Sequence, residues 1–163
     1  MALSQQKRLR KWLNLAPLQT RHLGSCVEQV LVPSLERLGF DLPTNRGLLT
    51  EHLVLGRELE LERKGGEYVD TVTFSFDKYR RPRFQIYCAR RAVAPPHAFL
   101  RSCNLVANNM QYYYFWGIPW WYPTAWWSNN RSDLLINFIE GRLAQLDRFL
   151  ANADSGPNIS KPI

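Results

Sequence analysis

The stretch Glu58-Leu59-Glu60-Leu61-Glu62, continued by Val69–Phe76 and by Arg83-Phe84-Gln85-Ile86-Tyr87-Cys88, decides the fold. Apolar and polar residues alternate through all three segments, which is the signature of strands with one buried face. Lys64-Gly65-Gly66 supplies a tight turn after the first strand. The segment Asp77 to Pro82 turns the chain again before the third. One parity collects Leu59, Leu61, Val72, Phe74, Phe76, Phe84, Ile86 and Cys88. The other collects Glu58, Glu60, Glu62, Thr71, Thr73, Ser75, Gln85 and Tyr87. An antiparallel meander with one apolar face is therefore expected, and that face needs a cover.

The flanking segments supply helices for it. Ser4 to Leu13 reads as a short helix with Leu9, Trp12 and Leu13 on one stripe, interrupted by Pro17. A second helix is predicted from His22 to Leu38, kinked or restarted at Pro33 and ended by Gly39. Beyond the meander, Pro95-Pro96 breaks the chain. Phe99, Cys103 and Val106 are spaced for a helix over Ala98–Asn108. Tyr112 to Trp116 is expected to form a fourth strand. A last helix from about Ser132 to Ala151 carries Leu135, Ile139, Leu146 and Leu150. The expectation is a two-layer α+β domain over residues 1–151. It has an antiparallel sheet of three to four strands, with helices packed on one face. Residues 152–163 are polar and rich in Gly and Pro, and are expected to be a disordered tail.

A chain of 163 residues is long enough to bury a core without staples. Its 45% hydrophobic content argues against disorder in the body. The net charge of +7 is uneven: Lys7, Arg8, Arg10, Lys11 and Arg21 fall within the first 22 residues, with no acid among them. Such an arm suits an anionic partner or a solvated helix face. The three cysteines, Cys26, Cys88 and Cys103, are too widely spaced for a disulfide framework or a CxxC metal pair, which points to reduced thiols and the cytoplasm. His22, His52 and His97 form no HxxxH or HExxH pattern. No metal, no cofactor, no signal peptide and no membrane span are expected.

Two surfaces stand out as candidate sites. Between Tyr112 and Trp127 the chain packs ten aromatic residues and five of its six tryptophans around Pro119 and Pro123. One strand buries only alternate side chains, so Tyr112, Tyr114, Trp116, Trp120, Trp121, Tyr122, Trp126 and Trp127 are candidates for an exposed surface that docks a protein partner or a second copy. The bland alternative is that they close the core. The second surface is basic. Lys7 and Arg8 in the arm, with Arg80, Arg81 and Arg83 at a hairpin beside Tyr79, suit phosphate contact and base stacking. Glu58, Glu60 and Glu62 are expected to be the solvated face of the sheet.

The run Leu-Val-Pro-Ser-Leu-Glu-Arg-Leu-Gly-Phe within Val27–Phe40, followed by the meander, resembles small uncharacterised bacterial α+β domains. Some of those accompany polymorphic toxins and are thought to act as immunity proteins. The resemblance covers roughly residues 23–90 and transfers no functional residue. The leading expectation is a non-enzymatic binding protein that docks a protein partner, or its own copy, through the aromatic segment, a class that immunity or adaptor function would fit. The rival readings are a nucleic-acid-binding domain, and a small enzyme whose site is assembled only in three dimensions.

Overall fold

Leu59, Leu61, Val72, Phe74, Phe76, Phe84, Ile86 and Cys88 are all buried in the computed structural model, as the shared parity requires. The structure describes residues 4–43, 56–94, 98–106, 136–154 and 156–161, together with the backbone of 114–116. The described strands are β1 (Glu58–Lys64), β2 (Tyr68–Phe76), β3 (Arg83–Ala92), β4 (Phe99–Leu105), β5 (Tyr114–Trp116) and β6 (Ile159–Ser160). They form an antiparallel sheet in the order β1-β2-β3-β4-β6. Strand β5 pairs with Arg83–Gln85 of β3, just beyond the point where β4 takes over at Ile86. The described sheet is thus five positions wide, not three to four.

Two of those positions correct the sequence reading. Residues 99–105 are a strand, not a helix. Phe99, Cys103 and Val106 fit a helical spacing, but Cys103 and Leu105 also alternate, and pairing with Cys88 and Ile86 decides between the two periods. The polar tail after Asn152 carries β6, where disorder was expected. Asn158 holds it there. Its side chain donates to the Val106 carbonyl at 3.0 Å and accepts from Gln145 at 3.1 Å. Its backbone carbonyl accepts from Val106 at 2.8 Å.

The helices lie together over the apolar face. Helix α1 (Gln5–Asn14) starts at Ser4, whose hydroxyl accepts from the Lys7 amide, and buries Leu9 and Leu13. The second predicted helix is three pieces: α2 (Leu18–Cys26), a π-turn (Val27–Leu31) and α3 (Val32–Arg37). The Val32 amide reaches back five residues to the Val27 carbonyl, which widens the helix just ahead of Pro33, where an i−4 bond is lost. Gly39, at φ 84°, ends α3: its amide bonds to Glu36 and that of Phe40 to Leu35. This doubly bonded, left-handed ending is the one glycine permits. Of the last predicted helix, the described part is helical over 136–140 and again in α4 (Leu143–Asn152), with a break at Gly141-Arg142. Leu23, Val27, Leu31, Leu35, Leu146 and Leu150 meet the sheet in one core. No described helix is long and apolar enough to cross a membrane.

The free edge of β1 is covered rather than open. The Glu60 amide donates to Gln5 Oε1 at 3.0 Å, and Asp41 forms a two-bond bridge with Glu62. Covering an edge in this way removes a template for strand pairing. Nor is the glutamate row a simple solvated face. Glu60 is buried, and Glu60 and Glu58 accept from Thr73 at 3.1 Å and Ser75 at 2.9 Å.

Candidate docking surface

The structure brings the two basic segments of the sequence to one corner. The β2–β3 hairpin (77–82) packs against the chain where α1 hands over to α2. Thr20 of α2 donates its hydroxyl to the Arg80 carbonyl at 2.8 Å. The Arg80 guanidinium lies 5.7 Å from the ring centroid of Trp12 in α1. Trp12 in turn packs on Phe76 at 6.1 Å, tying the corner to the sheet core.

Asp77 shapes the hairpin. It is buried, accepts the Tyr79 amide at 2.7 Å and forms an ion pair with Arg83. Arg83 is thereby committed to the turn, although the sequence reading placed it among the phosphate-contact candidates. Arg80 sits in the left-handed region at φ 58°, a conformation that costs an ordinary residue about 1–2 kcal/mol. Its Nε is buried and unpaired among the described residues. Tyr79 projects from the tip, 66% exposed, with Lys78 at 4.8 Å and Arg81 at 5.3 Å from its ring centroid.

Helical spacing places Lys7 and Lys11 on the outward side of α1, opposite Leu9 and Leu13, while Arg8 shares a flank with Trp12. Between Trp12 and Thr20 the chain turns at Pro17, leaving Leu15 at 68% and Leu18 at 69% exposure. Two leucines of the α1–α2 turn and a tyrosine of the hairpin tip are thus exposed on the two segments that Thr20 and Arg80 tie together.

Tyr112, Trp120, Trp121, Tyr122, Trp126 and Trp127 fall outside the described residues, while the backbones of Tyr114 and Trp116 pair with Gln85 and Arg83 in β5.

Two clusters were missed by the sequence reading. On the core face, one end of the sheet carries Arg63, Asp70, Arg90 and Arg101 in register across β1 to β4. Asp70 is fully buried and ion-paired to both Arg63 and Arg90 at 2.8 and 2.7 Å. Arg63 also bonds Asp147 of α4 and the Leu38 carbonyl after α3, and Arg101 bonds the last carbonyls of α4. Parity held the signal, because these positions point the same way as Val72 and Ile86. The cluster joins elements and faces inward, so its chemistry is structural. The other cluster is local: His22 Nε2 lies 3.5 Å from Cys26 Sγ, one helical turn away. The spacing i, i+4 was the available clue. Cys26 is buried in the core.

Among the described residues no group of three His, Cys, Asp or Glu side chains is arranged to hold a metal ion. The chain matches no family model, no curated protein and no solved structure.

Proposed function

We propose that this protein is a non-enzymatic binding domain, of adaptor or immunity type, that docks an acidic protein partner at the corner formed by α1, α2 and the β2–β3 hairpin. The observation that carries the reading is that the basic hairpin meets the basic arm, Arg80 against Thr20 and Trp12, while Leu15, Leu18 and Tyr79 are exposed on those same two segments. Apolar anchors with arginine and tyrosine around them are the composition of a protein-binding hot spot. The surrounding cations select the sign of the partner and speed its approach. The aromatic run Tyr112–Trp127 remains a second proposed contact, for a partner or another copy of the chain, and rests on its sequence alone.

A nucleic-acid contact is the alternative, favoured by Tyr79 standing between Lys78 and Arg81 as a stacking platform. Leu15 and Leu18 weigh against it, since neither stacks on a base nor bonds a phosphate. A photo-cross-linking side chain at position 15, used in the producing cell, separates the two. The expected adduct is an acidic protein, lost when Leu18→Asp places a like charge in the contact. Adducts to nucleic acid, or none at all, would overturn the reading.

A further inference from the structure

We propose that the cleft between α1 and α2 receives a carboxylate side chain of the acidic partner; this rests on the docking reading above and names the group recognised. The cleft has a volume of about 260 Å³ and is lined by Arg10, Leu13, Asn14, Arg21, Ser25 and Glu28. It lies on the flank of α1 away from Trp12, and its lining residues Asn14 and Arg21 bracket the Leu15–Leu18 turn in sequence.

Its charge and donors fit one carboxylate. Glu28, with a side chain only 14% exposed, holds Arg10 through Nε at 3.1 and 3.2 Å. That bond orients the guanidinium and leaves its terminal nitrogens unbonded among the described residues. Arg21 is exposed and makes no ion pair among the described residues. Two arginines and one glutamate sum to +2 − 1 = +1. One carboxylate neutralises that charge, whereas a phosphate dianion would leave the cleft negative. An arginine fork is the geometry that binds a carboxylate through two parallel bonds. Leu13 provides an apolar wall for the methylenes of a glutamate side chain. The wall is fixed from behind, because a Cβ on Gly24 would fall on the Leu13 methyl groups. The absence of that atom sets how closely α1 and α2 cross.

The test uses fluorescein-labelled polyglutamate of about 20 residues, binding to the full chain by anisotropy at fixed ionic strength. Arg21→Ala is expected to weaken binding about tenfold, the loss of one charge-assisted contact. Arg148→Ala, which removes the same charge on α4, should change it by less than about twofold. Arg21 is exposed, so its unfolding midpoint should be unchanged and confirm that the variant is folded. Equal effects at positions 21 and 148 would overturn the proposal, leaving general surface attraction. Tighter binding of polyphosphate with the same dependence on Arg21 would overturn the choice of carboxylate. The docking reading fails separately. If Arg21→Ala weakens polyglutamate while Leu18→Asp leaves the cross-linked partner unchanged, the cleft stands and the corner does not.

Discussion

Asp70 and Arg90 face one another across β2 and β3 as a fork, with Nε 2.7 Å from Oδ1 and a terminal nitrogen 2.9 Å from Oδ2. The carboxylate has no solvent exposure, and Arg63 closes on it from the other side at 2.8 Å. The hydrogen bond to Asp70 raises the Arg90 pKa above its ordinary value. Burial works against the charge on Arg63, but Asp70 and Asp147 together outweigh it and raise that pKa as well. Both arginines therefore stay charged, and the carboxylate is what allows them to sit beside each other. Replacing Asp70→Asn should cost about 3–5 kcal/mol in urea unfolding, because it leaves the buried Arg90 and the half-buried Arg63 facing a neutral group. A loss below about 1 kcal/mol would show that the cluster is not holding the sheet end to α4.

How much of this could be read in the sequence follows from which signals are local. Leu59, Phe74 and Ile86 stand opposite one another because strict alternation fixes parity, and a one-residue slip would expose them all. Strand β4 was missed because Phe99, Cys103 and Val106 satisfy a helical period in a segment too short to choose. Asp70 and Arg90 carried the right parity, but charge masked it, since only the fold shows that each has the other to pair with. The meeting of Thr20 with Arg80 spans 60 positions and has no local signal at all.

The Cys88 thiol makes stability depend on pH. Cys88 and Cys103 are register partners on β3 and β4, both fully buried. Burial pushes the Cys88 thiol well above its ordinary 9.0, with the Cys103 hydrogen bond and charge adding to it. In the unfolded chain the same thiol ionises near 9.0. Below that pH its contribution is fully present. Above it the unfolded state holds fewer protons than the folded one, so stability falls as pH rises. The slope reaches about 1.4 kcal/mol per pH unit for one thiol. Unfolding free energies between pH 8 and 10 should therefore decline less steeply in Cys88→Ala than in the parent. Identical slopes would remove Cys88 as the cause.

Asn158 should behave as a clasp for the C-terminal strand. It is buried, and its bonds reach both Val106 and Gln145. Asn158→Ala leaves buried polar groups without partners, at a cost of about 2 kcal/mol. The loss should be local. Limited proteolysis is expected to cut the variant after residue 154 while the sheet core resists. A variant as resistant as the parent would show that β6 is held by its ladder with β4 alone.

Arg80 offers a way to separate binding from folding at the docking corner. At φ 58° its backbone is strained by about 1–2 kcal/mol, which glycine would not suffer. Its carbonyl bond from Thr20 belongs to the backbone and survives any side-chain change. What Arg80→Gly removes is the guanidinium and its contact with Trp12, worth about 0.5–1 kcal/mol near the surface. The two effects oppose each other, so stability should stay within about 1 kcal/mol of the parent. The hairpin, however, loses the cation that adjoins Tyr79 and sits over Trp12. On the docking proposal, cross-linking from position 15 to the proposed acidic partner should fall, and the remaining binding should depend less on salt. A well-folded Arg80→Gly protein that binds its partner with unchanged affinity and salt dependence would place the docking surface somewhere other than this corner.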